Sequence, residues 1–255
     1  MRRLPRRLRH GEEATLVEHL GELRTRIFVA LGALLVGTIV AYVFRGHLLH
    51  WLNQPLPPGK RKPVTFSVSE PFVTSMWVSL YAGFLLATPI VFWQVWSFLA
   101  PAMVEHTQRV IAGFVALSFG LLAAGIAFGY FVVLPAAVHF LTNFDSSHYN
   151  IQIRARDYYS FVMLALLAVG IVFEVPIFVL ALVRLRIVTA ARLRRNWRIG
   201  VVSMAALAVA LPGVDPVTTA FEMIPLISLY LLSVLLASVF EKRWAAHEVP
   251  LTEIS

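Results

Sequence analysis

Long apolar runs separated by short polar segments divide this chain into six candidate helices. Leu16, Leu20, Leu23 and Ile27 recur at helical spacing, so residues 16–26 (LVEHLGELRTR) read as an amphipathic helix lying at a surface. It leads into an apolar run from Ile27 to Phe44, and further runs follow at 72–99, 110–140, 158–185, 199–211 and 217–240. A membrane-crossing helix needs about 20 apolar residues, and all the runs except the fifth approach or exceed that length. The fifth, Ile199 to Leu211, would reach only about 20 Å at 1.5 Å per residue, short of a hydrocarbon core of about 30 Å. Its shortness implies local thinning of the bilayer, or shielding of the fifth and sixth helices on one side. Turn formers punctuate the intervals: Pro55, Pro57, Pro58, Gly59 and Pro63 after the first run, and Pro212, Gly213, Asp215 and Pro216 before the last.

The stretch from Tyr158 to Leu185 stands apart, because Glu174 sits inside it and Pro176 follows two residues later. A charged carboxylate at that depth costs about 2.5–3.5 kcal/mol on insertion scales. The proline removes a backbone donor and kinks the helix. Glu174 is therefore expected to face protein, water or a partner helix rather than lipid. Glu222, in the last run, is the other acidic residue within a span. For both, the bland reading is a neutral carboxyl bonded to a neighbouring helix. The functional one is a proton or substrate site, or a polar dock for another helix.

Composition sharpens the class. The chain has 255 residues, 58% hydrophobic and only 14% charged, with a mean hydropathy of +0.75. A soluble domain averages nearer a quarter charged, so the fold class is an all-α polytopic membrane protein. One membrane domain, residues 16–240, is expected between a mobile basic tail (1–15) and a C-terminal tail (241–255). Cysteine is absent, which excludes disulfides, thiolate metal sites and thiol catalysis. The net charge of +8 does not point to nucleic acid, because the basic residues flank the apolar runs, where they orient helices and meet anionic lipid. Arg2, Arg3, Arg6, Arg7, Arg9, Arg24, Arg26, Arg109, the six arginines between 184 and 198, Lys242 and Arg243 share one side of a six-span layout. Arg45, Lys60, Arg61, Lys62, Arg154 and Arg156 occupy the other. That imbalance places both termini in the cytoplasm.

Enzyme signatures such as HExxH, GxSxG or a P-loop are missing, so no catalysis is expected. No cofactor or metal is implied either, since His47 and His50 have metal-compatible spacing but no third ligand nearby. Glu18, His19, Glu22 and Arg24 form a polar face next to the bilayer; carboxylates on such a face can hold arginine by bidentate bonds, though the commoner outcome is simple solvation.

The motif series resembles the TatC family, the multispanning subunit of the twin-arginine protein translocase. The matching pieces run in order: EHLGELRTR (18–26), EPF (70–72), QVWSFLAPAM (94–103), FGYFVVLP (128–135), YSFVMLALLAVGIVFEVP (159–176), LPGVDP (211–216) and IP (224–225). The resemblance implies six helices in a concave cup in the plasma (inner) membrane of a bacterium or archaeon, with both termini cytoplasmic and helices five and six short. It implies a receptor for signal peptides with paired arginines. That receptor assembles with single-span TatA/TatB-type partners, and with itself, for export driven by the protonmotive force. By resemblance, Glu22 contacts the twin arginines, with His19, Leu20 and Arg24 beside it, while Gln94, Phe98, Pro101 and His106 match the first cytoplasmic loop. The family usually carries a second signal-binding glutamate where this chain has Thr107; either Glu105 is expected to take over part of that role, or Glu22 to do more alone. Glu174 matches the intramembrane glutamate, and Asp215 an acidic residue of the last outer turn. Thr219 stands where a glutamine of a partner-docking patch is common, and Glu222 one turn on is expected to supply the missing polar group. The competing expectation is a proton-coupled secondary transporter using Glu174.

Overall fold

The computed structural model describes residues 16–99, 108–211 and 215–247. The basic tail 1–15, the loop holding Glu105 and Thr107, and residues 248–255 lie outside the described residues, as does the side chain of His19. Among the described residues regular structure is helical, apart from one isolated bridge pairing Val64 with Arg154.

The surface segment and the first span form one continuous helix, α1 (Leu16–Val43). A short helix, α2 (Arg45–Leu52), follows at once in a stretch that reads as turn-rich from sequence. The second span is α3 (Glu70–Leu99) with Pro89 inside it. The third is α4 (Gln108–Phe128), a π-helical turn at Gly129–Val133, and α5 (Leu134–Asn143). The π turn falls just before Pro135, whose missing N–H disturbs the regular ladder there. The fourth span breaks at Phe173–Glu174 into α6 (Ala155–Val172) and α7 (Val175–Arg184), with Pro176 in the first turn of α7. The expected kink is thus an interruption of the helix directly at Glu174.

A short helix, α8 (Ala190–Arg195), leads to α9 (Trp197–Ala210) and then α10 (Pro216–His247). Five segments are long and apolar enough to cross a membrane: Leu20–Val43, Glu70–Phe98, Ala112–Asn143, Ala155–Arg184 and Pro216–Glu241. The apolar helix Trp197–Ala210 is shorter, at 14 residues. The expected shortness of helices five and six therefore applies to α9 alone. At 32 residues α10 is long: its apolar span alone, Pro216–Glu241, has 26 residues, and the helix runs on to His247.

The helices stand as a wall. The principal packing partners are α1 on α3, α3 on α4 and α6, α4 on α6, α7 on α10, and α10 on α9. Without a hydrophobic force between helices inside lipid, close approach through small residues holds such a wall together. Gly37 of α1 and Gly83 of α3 meet backbone to backbone, and a Cβ on Gly37 would lie 2.5 Å from the Gly83 carbonyl oxygen. Gly200 of α9 lies flat against the ring of Tyr230 on α10. One core cluster gathers Tyr130, Tyr158, Tyr159, Val162 and Leu166 against Leu52 and Leu56. There the Tyr130 and Tyr158 hydroxyls donate to the carbonyls of Trp51 and Leu52, and that of Tyr159 to Asn53 Oδ1.

Candidate functional site

Four polar constellations interrupt this apolar wall. The first joins α1 to the end of α3. Arg26 donates from Nε to Oε1 of Glu22 at 3.0 Å, and its Nη2 joins the same oxygen. The spacing of four residues makes the two neighbours on one helix face. Arg26 also reaches across to α3, where Nη1 meets the carbonyl and the side-chain oxygen of Gln94 at 3.4 and 3.5 Å, and Nη2 meets the Ser97 carbonyl at 3.3 Å. Glu22 is thereby held in place while its side chain stays 38% exposed. Leu20, Ile27 and Phe28 are exposed on other faces of α1, and the Arg24 guanidinium sits 5.7 Å from the Phe28 ring centroid. Phe98 is half-buried one turn beyond Gln94. Through Arg26 the structure links Glu22, an expected signal-binding residue, to Gln94 and Ser97 of α3, while Leu20 and Arg24, four residues apart, share another face of α1. Arg26 is the residue that sequence reasoning passed over, although its position four residues from Glu22 was the available signal.

The second constellation is intramembrane. Glu174, 3% exposed at the break between α6 and α7, faces the Ser118 hydroxyl and the Leu122 backbone of α4. Ser118 in turn accepts from Trp96 Nε1 of α3 at 3.1 Å. Three helices therefore converge on this carboxyl, and its Oε1 has no hydrogen-bond partner among the described residues. Trp96 is buried, unlike Trp77 and Trp93. A tryptophan N–H and a serine hydroxyl on separate helices carry no periodicity that marks them as partners.

The third lies at the start of α10. Asp215 caps the helix: Oδ1 accepts from the Thr218 amide at 2.8 Å and Oδ2 from the Thr218 hydroxyl at 2.6 Å. Thr219 Oγ1 donates to the Asp215 carbonyl and is partly exposed. Glu222 is fully buried, and neither of its carboxylate oxygens has a hydrogen-bond partner among the described residues. The surface offered here is that of Thr219 and Phe221, while Glu222 lies behind it.

The fourth is at the opposite end of α3 from Gln94. Glu70 is buried and accepts from Arg154 Nε and Nη2 at 3.0 and 3.2 Å, and from the amides of Phe66 and Arg156. Val64 pairs with the 153–155 segment through two further backbone bonds, its amide donating to the Ile153 carbonyl and its carbonyl accepting from the Ala155 amide. This staple joins the two loops that precede α3 and α6. The EPF motif marked Glu70, but its partner lies 84 residues away. Among the described residues no group of histidine and acidic side chains could hold a metal ion.

Comparison with known proteins agrees with this architecture. Residues 18–225 match the family described as Sec-independent protein translocase protein (TatC). The TatC of Carboxydothermus hydrogenoformans is 34% identical over 90% of this chain and 95% of its own length. That of Deinococcus radiodurans is 34% identical over 89% of this chain and 87% of its own. A crystal structure of the twin-arginine translocase receptor TatC superposes with a TM-score of 0.75 at 30% identity, covering 87% of this chain and 99% of that one. The same receptor crystallised in the detergent DDM gives 0.77 at 30% identity.

Proposed function

Because the chain belongs to the TatC family of Sec-independent protein translocase proteins, we propose a division of labour among its polar sites. It is the receptor subunit of the twin-arginine translocase and a multi-pass membrane protein. The family is a translocase component rather than a known enzyme family, and membership does not favour the transporter reading. In our reading both termini are cytoplasmic, which the arginine imbalance supports. The host membrane is a prokaryotic plasma membrane.

The observation that carries the proposal is the Glu22–Arg26–α3 arrangement. A receptor for paired arginines needs a carboxylate at the cytoplasmic membrane border, accessible and already oriented. Glu22 is both, since Arg26 holds it against α3 while the side chain remains partly exposed. Arg26 makes the same bonds to Glu22 that an incoming guanidinium would make. Signal binding in this scheme is an exchange: the signal's arginine takes Glu22, and Arg26 keeps its carbonyl partners at Gln94 and Ser97. His19, Leu20, Arg24 and Phe98 flank the contact, Glu105 supplies a second acceptor, and the signal's apolar segment runs along the exposed Leu20, Ile27 and Phe28 face. Glu174, Asp215, Thr219 and Gln94 serve assembly with single-span TatA/TatB-type partners and between copies of the receptor, while Glu222, buried behind Thr219, supports that surface from inside rather than meeting the partner as expected from sequence. A partner's polar side chain would satisfy Glu174 Oε1 through the interrupted turn at Phe173–Glu174.

The test is binding of a twin-arginine signal and its paired-lysine version to the full chain in nanodiscs. A charge-assisted bond is worth about 1.5–3 kcal/mol when shielded, less at a site as exposed as Glu22. Lysine pairs and Glu22→Ala should each weaken binding about tenfold. Equal affinity for the two signals, or export intact in Glu22→Ala, refutes the assignment.

A further inference from the structure

The signal site uses acidic groups, and a separate cluster of arginines between the fourth and fifth apolar runs has no specific ligand assigned to it. Between Glu174 and Asp215 the chain contains six arginines and no acidic residue. Four of them, Arg192, Arg194, Arg195 and Arg198, are exposed on the elbow between α8 and α9, and none is in an ion pair among the described residues. We propose that this elbow is a binding site for an anionic phospholipid, its phosphate held by Arg192 and Arg195 and its acyl chains lying along α9.

Four features build the site. Arg192 and Arg195, one turn apart on α8, line a hollow of about 510 Å³ together with Ala191 and Asn196. Two guanidinium forks and an amide are the donor set that a phosphodiester takes. The elbow is anchored. Ala190 is buried against Val179, Leu180 and Ala237, with Leu193 packed beside it, and the Ala190 amide donates to Glu241 Oε2 of α10 at 3.1 Å. That anchoring turns Arg192 and Arg195 outward. Trp197 is exposed next to the hollow, with the Arg198 guanidinium 5.8 Å from its ring centroid, a side chain suited to headgroup depth. Below it the exposed Ile199, Val202 and Val209 continue down α9 as an apolar strip.

The short helix α9 explains why a lipid, rather than bulk water, should meet these arginines. Its 14 residues span about 21 Å, so the elbow at its start is drawn toward the hydrocarbon core. A membrane thinned against α9 brings lipid phosphates level with the hollow. A zwitterionic headgroup carries its own cation and competes poorly for guanidinium-lined space. An anionic one gains about 1 kcal/mol per basic residue near the surface.

The experiment is native mass spectrometry of the full chain released from detergent containing phosphatidylglycerol or phosphatidylcholine, with lipid titration by thermal shift. One phosphatidylglycerol per chain should be retained, and R192Q/R195Q should weaken it about thirtyfold, or fivefold per arginine. The arginine-to-lysine pair should keep most of the affinity, which separates charge recognition from misfolding. The charge-matched control K60Q/R61Q, on the other side of the chain, should retain the lipid. Equal retention of phosphatidylcholine, or equal loss in the control, overturns the site. Competition by millimolar inorganic phosphate also overturns it, since the hollow would then bind soluble anions. Signal binding measured in parallel should be unchanged in R192Q/R195Q, so failure here is distinguishable from failure of the Glu22 assignment.

Discussion

Gly32 and Gly37 lie on the same helix, five residues apart, and their predicted responses to alanine are opposite. A Cβ at Gly32 meets nothing within 4 Å, whereas one at Gly37 lies 2.5 Å from the Gly83 carbonyl oxygen and 3.3 Å from its Cα. From the other side, a Cβ at Gly83 would lie 2.4 Å from the Thr38 amide nitrogen. Carbon contacts settle near 3.5–4.0 Å, so the two backbones must part by roughly 1 Å. A gap of that size forfeits about a quarter to a half of each contact well along the seam. Overpacking of this kind costs about 1–3 kcal/mol, against a helix-propensity gain of up to about 1 kcal/mol for replacing glycine by alanine. The net for Gly37→Ala is about 1–2 kcal/mol of destabilisation, while Gly32→Ala is neutral or slightly stabilising. For a chain of this size that is a melting-point drop of about 2–8 °C, read by thermal unfolding in detergent. Because α1 packs chiefly on α3, parting the seam also disturbs the grip of Arg26 on Gln94 and Ser97, so signal affinity should fall in Gly37→Ala alone. Indistinguishable melting curves for the two variants would refute the claim that this seam holds α1.

Other tests follow from the same structure. Glu174→Ala should impair partner assembly and export while leaving initial signal binding within about twofold, scored by co-purification and signal titration; loss of signal binding would break the division of labour. Gly200→Ala should separate α9 from α10, because its Cβ would fall 1.9 Å from Tyr230 Cζ, and Tyr230→Ala added to it should restore the thermal stability lost. Tyr158→Phe removes a buried 2.6 Å bond to the Leu52 carbonyl and should cost about 1–2 kcal/mol, since the carbonyl is left unpaired; an unchanged melting point would show that another donor takes its place. Glu70→Ala should expose the Phe66 and Arg156 amides to hydrogen exchange, as both donate to that carboxylate. Unchanged protection at those two amides would mean the loops are held elsewhere.

Hydropathy is a local property, and most of the architecture followed from it. Each apolar run became a helix, the fifth stayed short, and Pro176 broke the fourth span where the sequence placed the kink. The family could be read from motifs scattered over the chain, and the candidate Glu22 came with its helix face. The length of the sixth helix was less legible, since α10 continues beyond its apolar stretch through Glu241 to His247. The helix α2 was also hidden, just before a segment rich in prolines.

What the tertiary structure alone decided is which faces meet. Glu70 finds Arg154 across 84 residues, and Trp96 finds Ser118 and, through it, Glu174. Gly32 and Gly37 are equivalent letters until α3 arrives beside one of them. Glu222 and Thr219 share a helix, yet one is sealed inside and the other partly open. The reason lies in the solvent. Transfer into a bilayer depends on each segment's own composition, so a sequence reports it directly. Association inside the bilayer has no such one-dimensional signal. It turns on close backbone approach and on a few polar pairs between helices that lipid treats as alike. Here those few contacts set where Glu22, Glu174 and the arginine elbow stand relative to one another.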